Sequence, residues 1–228
     1  MSKIQPALSE PIKFEPVRHP SLCDAVLADL RRAIIDGKLP PGKRLVETEL
    51  ANQFHVSRAI MRQALQQLSF DGLVEVRPRR GTIVTRMSSR VARDVCTVRG
   101  LLEGWAARSA CDSLGDDELR RMRDISDKMG ACLRQGDVYS VVTLDIEFHT
   151  RICQSDPNQR LFVQWSSLNA SHGALMSSRL AHYNYNPVTV TALHSQLCDV
   201  LASRDPDEAE RAVRLHYMGT RWEDDEEG

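Results

Sequence analysis

The sequence predicts a mostly α-helical protein, in which an N-terminal winged helix-turn-helix precedes an all-α antiparallel bundle of six to seven helices. Residues 50–84, LANQFHVSRAIMRQALQQLSFDGLVEVRPRRGTIV, show a helix, a turn and a helix, followed by two short β-rich runs. From residue 89 onward, the pattern is helical, with no alternation of period two. Residues 18–86 hold 12 Lys and Arg against 7 Asp and Glu, whereas residues 87–228 hold 16 against 22. An anionic partner is therefore expected for the first part only.

The length and composition fit two small domains without a membrane segment. The chain has 228 residues, of which 42% are hydrophobic, and no apolar run approaches the roughly 20 residues that a membrane span needs. The N-terminus lacks a signal-peptide pattern, so we expect a cytoplasmic protein. Six scattered cysteines without a CxxC pair are expected to be reduced. The predicted divisions are a flexible arm (1–17), a winged helix-turn-helix domain (18–86), a helical domain (87–222) and an acidic tail (223–228).

Caps and breakers define the first two helices. Ser21 can cap a helix that runs to about Asp36, where Gly37 ends it. A short second helix is predicted from Val46 to about Phe54. The two residues that follow leave room only for a turn, so the next helix must begin close to the end of this one.

The third helix carries a basic face. Ser57 is a good N-cap for it, and the helix is predicted to continue to about Phe70. Arg58, Arg62 and Gln66 repeat every four residues on one face. Since an α-helix fits the major groove and can offer Arg or Gln to base edges, this face is suited to reading DNA.

A β-hairpin with a basic tip is predicted to follow. Its strands are residues 73–76 and 82–84, and its connection is Arg77-Pro78-Arg79-Arg80-Gly81. Arginines on such a wing can neutralise phosphates beside the groove. Each basic group alone would fit an ordinary solvated surface, but a capped helix, a turn, a basic helix and a basic hairpin in succession indicate DNA binding.

Residues 40–84 resemble the DNA-binding domain of GntR-type bacterial transcription regulators. The shared pattern comprises Pro41-Gly42, Arg44-Leu45, Glu49-Leu50-Ala51, Val56-Ser57-Arg58, Arg62, Ala64-Leu65, Leu68, Gly72-Leu73 and Arg80-Gly81. The resemblance implies that Ser57, Arg58 and Arg62 contact operator DNA, that Arg44 contacts a phosphate or base nearby, and that Gly81 lets the wing approach the backbone.

This chain departs from the family pattern in the turn and at the start of the recognition helix. His55 stands where the family usually has Gly, and Ala59-Ile60 where it has Thr-Pro. The second change removes a hydroxyl that would contact a base, although an apolar side chain could instead meet a thymine methyl group. The operator sequence therefore cannot be inferred from the family.

The second part of the chain reads as helices joined by short links. Pro157, Pro187 and Pro206 each stand at a predicted helix start, where the missing N–H costs nothing. Short links favour an antiparallel bundle. The predicted helices span residues 89–112, 116–135, 137–154, 158–182, 187–203 and 206–222.

Histidines are the chemically distinctive residues of this bundle. Asp145 and His149 are four residues apart and share one helix face, and His194 and His216 lie in the last two predicted helices. A carboxylate with three imidazoles suits a divalent transition metal such as Zn²⁺, Ni²⁺ or Mn²⁺. Spacing alone leaves open that these are ordinary core or surface residues. We expect two further histidines, His172 in a polar helix and His182 at the exit of that helix, to be non-ligands.

Residues from about 91 to 218 resemble the FCD ligand-binding domain of the FadR-type subfamily. Arg99, Glu103, Asp145, Phe148-His149, His194 and His216 carry this likeness. The resemblance implies a divalent metal bound by Asp145, His149, His194 and His216, and a small organic acid or related metabolite as the effector. Arg99 is the expected second anchor for the effector carboxylate, because a guanidinium grips it with two hydrogen bonds. A salt bridge between Arg99 and Glu103 is an equal alternative.

These expectations combine into a transcription regulator, most often a repressor in this family, that binds operator DNA under the control of a metabolite. Two half-sites require two recognition helices, so a homodimer is expected. Residues 86–92 are the expected hinge. One rival is a metal sensor, in which the metal itself is the signal. The other is a metal-dependent enzyme with a DNA-binding module, which we do not expect because Glu147, a nearby general base, should face away from Asp145 and His149.

Overall fold

The structure is a computed structural model that describes residues 22–77, 80–86, 88–111, 113–182 and 186–218, without the side chains of residues 181 and 182. The described helices and strands, in chain order, are α1 (Leu22–Ile35), β1 (Arg44–Leu45), α2 (Glu47–Gln53), α3 (Arg58–Phe70), β2 (Val74–Arg77), β3 (Gly81–Val84), α4 (Ser89–Ala110), α5 (Asp116–Arg134), α6 (Val138–Gln154), α7 (Gln159–Ser166), α8 (Asn169–His182), α9 (Pro187–Ala202) and α10 (Pro206–Met218). The predicted fold class is confirmed. The Ser21 cap, Arg79, the arm and the acidic tail lie outside the described residues.

Helix α3 is fixed by its cap and by a buried apolar stripe. The Ile60 N–H donates to Ser57 Oγ over 3.2 Å, as the sequence predicts. Met61, Ala64 and Leu68 are fully buried and pack with apolar residues of α1 in the core of the first domain. This packing leaves the opposite face of α3, which carries the arginines, toward solvent.

The wing is a three-stranded antiparallel sheet in the order β1-β3-β2. Arg77 pairs with Gly81 at the tip of the predicted hairpin, and Gly81 takes a φ of +77°, a conformation that favours glycine. Arg44 pairs with Ile83. The sequence did not predict β1, because two residues after a proline turn are too few to show any alternation.

Seven described helices, α4 to α10, form the predicted bundle around one core. Helix α10 lies close against α4 because Gly100 and Gly104 have no side chains. A Cβ on Gly104 would stand 3.2 Å from the Glu210 carbonyl oxygen, and one on Gly100 would stand 3.4 Å from Tyr217 Cβ. This close approach brings the end of α10, with His216, beside the middle of the bundle.

The single helix predicted over 158–182 is wrong, since the structure divides it into α7 and α8. Ser166 Oγ donates to the Val163 carbonyl and Ser167 Oγ to the Gln164 carbonyl. Serine hydroxyls that bond the preceding turn compete with the helical hydrogen bonds, and the chain turns at residues 167–168. The predicted hinge is also too long, because Ser88 caps Val91 and α4 already begins at Ser89.

Helix α8 joins the bundle to the DNA-binding domain. Ser171 Oγ donates over 2.6 Å to the Asp71 carbonyl at the end of α3, and Ser177 Oγ donates to the Ile35 carbonyl at the end of α1. Ala170 and Ala174 pack against the core of the first domain. Helix α8 therefore links the two domains and also borders the centre of the bundle, while α6 makes a smaller contact with α1. Among the described residues, no helix is both long and apolar enough to cross a membrane.

Candidate functional site

The arginines of the recognition helix are exposed and converge on one carboxylate. Arg58 Nε lies 3.3 Å from Glu47 Oε1. Arg62 is bidentate, with Nε 3.0 Å from Glu47 Oε2 and Nη2 2.9 Å from Glu47 Oε1. The hydrogen bond from Arg62 lowers the pKa of Glu47, so this carboxylate is ionised at neutral pH. No role was predicted for Glu47, which lies in the first turn of α2.

The described wing residues present a second exposed basic group. Arg44 opens β1, and Arg80 precedes Gly81 at the hairpin tip; all three residues are exposed. A Cβ on Gly81 would stand 3.6 Å from Arg44 Nε, so the tip and the Arg44 guanidinium are neighbours. Ser57 uses its oxygen as the α3 cap, and its hydroxyl hydrogen remains able to donate to a phosphate. The wing thus groups Arg44, Arg80 and Gly81, while α3 carries Ser57, Arg58 and Arg62.

The structure brings Asp145 and the three predicted histidines together inside the bundle. Asp145 and His149 come from α6, His194 from α9 and His216 from α10. A ligand atom of each histidine lies within 4.8 Å of the others. Asp145 Oδ1 is 3.3 Å from His194 Nε2 and 3.7 Å from His149 Nε2. Residues from three helices therefore converge on one small volume.

Outer partners fix the direction of two imidazoles. His149 Nδ1 bonds Glu103 Oε1, and His194 Nδ1 lies 2.8 Å from the Val190 carbonyl oxygen. Both rings therefore direct Nε2 toward Asp145. His149 Nε2 is buried and has no hydrogen-bond partner among the described residues. Histidines that ligate metals are held in this way through their other nitrogen, so the residues fit a divalent cation.

His172 is buried rather than on a polar helix, which corrects the prediction about its surroundings. Only 4% of it is exposed, and its Nε2 lies 3.0 Å from Asp145 Oδ2. Asp145 thus gives one oxygen to His172 and turns the other toward His149 and His194. The burial of His172 was not visible in the sequence. Its neighbours Ser171 and Gly173 are buried too, but a serine and a glycine look polar or neutral in a hydropathy pattern.

Burial and neighbouring charges shift the pKa values of the acidic and imidazole groups in this centre. Burial raises the pKa of Asp145, but His149 and the hydrogen bonds from His172 and His194 outweigh it and hold that pKa well below its usual value. Burial also lowers the pKa of His172 to about 4, helped by the charge of Arg99. Burial and the neighbouring imidazoles hold the pKa of His216 well below its usual value. Burial lowers the pKa of His149 as well, but Glu103 and Asp145 outweigh it and raise that pKa above its usual value. The centre therefore offers an ionised Asp145 and a neutral His216, as metal ligands require, while a cation would compete with a proton for His149.

Arg99 and Glu103 both lie in this centre, but no ion pair joins them directly among the described residues. Arg99 is fully buried; its Nε donates to Tyr217 Oη over 3.3 Å and its Nη1 to Asn169 Oδ1 over 2.5 Å. Glu103 Oε2 instead accepts from Tyr217 Oη over 2.7 Å and from Trp165 Nε1 over 2.9 Å. The predicted salt bridge is therefore replaced by a network through Tyr217.

One nitrogen of Arg99 finds no hydrogen-bond partner in the part of the chain that the structure describes. Its Nη2 is buried and has no partner among the described residues, although the guanidinium stacks 4.2 Å above the Trp165 ring. Burying a charged donor without a partner is costly, so this nitrogen is suited to an anionic ligand. The roles of Tyr217 and Trp165 were not predicted from the sequence. Tyr217 could have been suspected because it adjoins His216, whereas no pattern pointed to Trp165.

Glu147 faces away from the centre, as predicted. Its Oε1 accepts from Arg151 Nη2 over 3.1 Å, one turn along α6. The side chain of Glu147 is 43% exposed, whereas those of Asp145 and His149 are almost entirely buried.

Comparison with known proteins agrees with both halves of the fold. The family described as bacterial regulatory proteins, gntR family, matches residues 22–84, and the FCD domain matches residues 94–218. The HTH-type transcriptional repressor RspR of Escherichia coli is 26% identical over 189 residues, which cover 83% of this chain and 82% of the relative. The Glc operon transcriptional activator of the same species is 28% identical over 217 residues, covering 86% and 85%.

A solved structure has the same fold. It is a putative transcriptional regulator GntR from Rhodococcus sp. RHA1, with a TM-score of 0.72 and 23% identity, and the match covers 86% of this chain and 94% of that one. The two matched domains, in this order and over most of the chain, identify the protein as a member of the GntR family of transcriptional regulators, with an FCD domain after its winged helix-turn-helix.

Proposed function

We propose that this regulator is a repressor whose affinity for operator DNA is controlled by a small organic acid bound at a divalent metal site in the FCD domain. The observation that carries the proposal is the convergence of Asp145, His149, His194 and His216 beside a buried arginine with an unused donor. The proposed DNA contacts are Arg44, Ser57, Arg58, Arg62, Arg79, Arg80 and Gly81.

Asp145, His149, His194 and His216 would hold the metal. Three imidazole nitrogens and one carboxylate oxygen suit Zn²⁺, Ni²⁺ or Mn²⁺. Bound there, the cation would supply positive charge and leave coordination positions for carboxylate oxygens. His149 Nε2, which has no hydrogen-bond partner among the described residues, supports this assignment, because a buried nitrogen without a partner is unfavourable unless something binds it.

Arg99 would anchor the acid. Its guanidinium is held by Tyr217, Asn169 and Trp165, so its position is fixed before any ligand binds. Its Nη2 bonds none of the described residues. A fixed guanidinium binds a carboxylate with strong, charge-assisted hydrogen bonds. This arrangement supports an anionic effector rather than a neutral one.

Helix α8 offers the connection from the effector site to DNA. Asn169 bonds Arg99 and His172 bonds Asp145 on one side, while Ser171 and Ser177 bond the ends of α3 and α1 on the other. A ligand that favours one position of α8 would therefore favour one orientation of the DNA-binding domain. Operator affinity changes only to the extent that the ligand binds the two orientations unequally.

A titration tests the effector and the metal together. The operator duplex would be selected by the purified protein from a random-sequence library, and its affinity measured with and without a chelator and a panel of small organic acids. We expect at least one acid to release the operator from metal-loaded protein, and chelation to abolish this response. If no acid has any effect and chelation alone releases the operator, the protein is a metal sensor instead.

The repressor and homodimer assignments need separate measurements. One curated relative is named a repressor and another an activator, so the direction of control has to be measured with a reporter gene behind the selected operator. Repression relieved by the effective acid is the expected result. A homodimer predicts two chains per operator duplex in light scattering of the complex, whereas one chain would contradict it.

A further inference from the structure

We propose that Glu47 is a positioning residue that sets how strictly the protein distinguishes its operator from other DNA. It would hold Arg58 and Arg62 side by side for base edges and keep them from binding phosphates of any sequence. The inference rests on the proposed role of these two arginines in operator contact.

Two guanidinium groups, those of Arg58 and Arg62, bond the single carboxylate of Glu47. Arg62 uses two nitrogens, 2.9 and 3.0 Å from the two oxygens of Glu47, and Arg58 approaches through Nε at 3.3 Å. Among the described residues, neither arginine forms an ion pair with any other carboxylate. Glu47 is the first residue of α2, whereas both arginines belong to α3, so the pairs join the two helices of the helix-turn-helix.

Fold stability is a poor reason for this arrangement. The side chains of Arg58 and Arg62 are 66% and 56% exposed, and ion pairs of exposed arginines contribute little to stability. The helices are already joined by their apolar core, which contains Ala51 of α2 and Met61 of α3. The carboxylate is therefore better explained by what it does to the two arginines.

Two effects of the carboxylate would favour specific over non-specific binding. Restricting two flexible side chains before the protein meets DNA reduces the entropy that is lost when they bind base edges. The negative charge also cancels one of two adjacent positive charges and so weakens attraction to the phosphate backbone, which dominates non-specific affinity. Both effects raise the ratio of operator affinity to affinity for unrelated DNA.

The test is Glu47→Gln, which keeps the size of the side chain and removes its charge. Glu49→Gln is the matched control, because Glu49 lies on the same helix, is exposed and makes no ion pair among the described residues. The full-length variants would be titrated with the duplex selected by the wild-type protein and with a scrambled duplex of equal composition, over a series of salt concentrations.

We expect Glu47→Gln to lower the ratio of the two affinities about 10-fold, the discrimination given by roughly one well-held bidentate base contact. Scrambled DNA should bind more tightly, with a salt dependence steeper by about one phosphate contact. Glu49→Gln should leave the ratio within about 2-fold of wild type, since residues two apart on a helix, such as Glu47 and Glu49, do not face the same side. An unchanged ratio for Glu47→Gln, or an equal fall for both variants, overturns the proposal.

Arg58→Ala separates this proposal from the assignment on which it rests. If this variant remains folded by circular dichroism and binds the selected duplex as tightly as wild type, the DNA-contacting surface has been misassigned. If Arg58→Ala loses operator binding and Glu47→Gln keeps the wild-type ratio, the DNA contact stands and only the positioning role of Glu47 fails.

Discussion

At the residue scale, the orientation of two proposed metal ligands, His149 and His194, depends on a hydrogen-bond partner of the other ring nitrogen. Glu103 holds Nδ1 of His149, and its other oxygen is fixed by Trp165 and Tyr217. Glu103 is itself fully buried. A buried carboxylate is stable only when hydrogen bonds and charges compensate its desolvation, so this network has to form together with the site that it orients.

Glu103→Gln is expected to weaken metal binding about 10- to 100-fold, the effect typical of a lost outer partner. The amide keeps the shape of the side chain but cannot stabilise the imidazole by charge. Competition with a chromogenic chelator would measure the affinity. Glu147→Gln removes the same charge from a partly exposed side chain of α6 and should change the affinity little; equal affinities for all three proteins would contradict the role of Glu103.

At the element scale, α8 hydrogen-bonds residues of the proposed effector site on one side and the DNA-binding domain on the other. Its serines reach backbone carbonyls at the ends of α1 and α3. A Cβ on Gly72, which adopts a φ of +75°, would stand only 2.6 Å from Ser171 Oγ. The end of α3 and α8 are therefore packed closely. If α8 moves, either the recognition helix moves with it or the contact between the two helices breaks.

Replacing Ser171 and Ser177 together by alanine should uncouple effector from operator. The two hydrogen bonds cross the domain junction, so we expect the double variant to bind the operator within a few-fold of wild type and to lose most of its response to the acid. Operator affinity measured with and without acid gives the coupling directly.

Ser203→Ala is the matched control, since Ser203 bonds only a carbonyl of its own helix end among the described residues. A wild-type response in the Ser171 and Ser177 double variant would show that the signal takes another route. A response lost equally in the control would show that the assay reports stability and not coupling.

At the scale of the whole molecule, α6 has to meet the consecutive helices α9 and α10 before the proposed metal site exists. Helices α6, α9 and α10 contribute its residues. A metal that binds only the folded state stabilises it, by about 2.7 kcal/mol at a free concentration 100 times its dissociation constant. In a chain of this size, each kcal/mol raises the melting temperature by roughly 2–4 °C.

Metal removal should therefore lower the melting temperature by several degrees. Scanning calorimetry of chelated protein, before and after saturation with Zn²⁺, Ni²⁺ or Mn²⁺, measures the change and ranks the metals. His149→Ala removes one ligand and should abolish most of the rise. A rise of equal size in that variant would place the bound metal elsewhere on the protein.

Local patterns in the sequence determined the elements and several functional positions. The Ser57 cap, the stripe of Met61, Ala64 and Leu68, and the turn at Gly81 act within a few residues of the chain. Such short-range patterns can be recognised in a sequence without knowledge of the fold. Resemblance to a family added Asp145, His149, His194 and His216, which the structure indeed brings together, although spacing alone left their role open.

Only the tertiary structure decided how these residues are held and connected. Glu103 meets His149 across 46 positions, His172 meets Asp145 across 27, and Arg99 meets Tyr217 across 118. The pairing of β1 within the wing and the link from α8 to α3 likewise depend on distant partners. Periodicity shows which face of a helix is apolar, but it does not show which helix will cover that face. The environment of a buried polar group is therefore fixed only when the chain has folded.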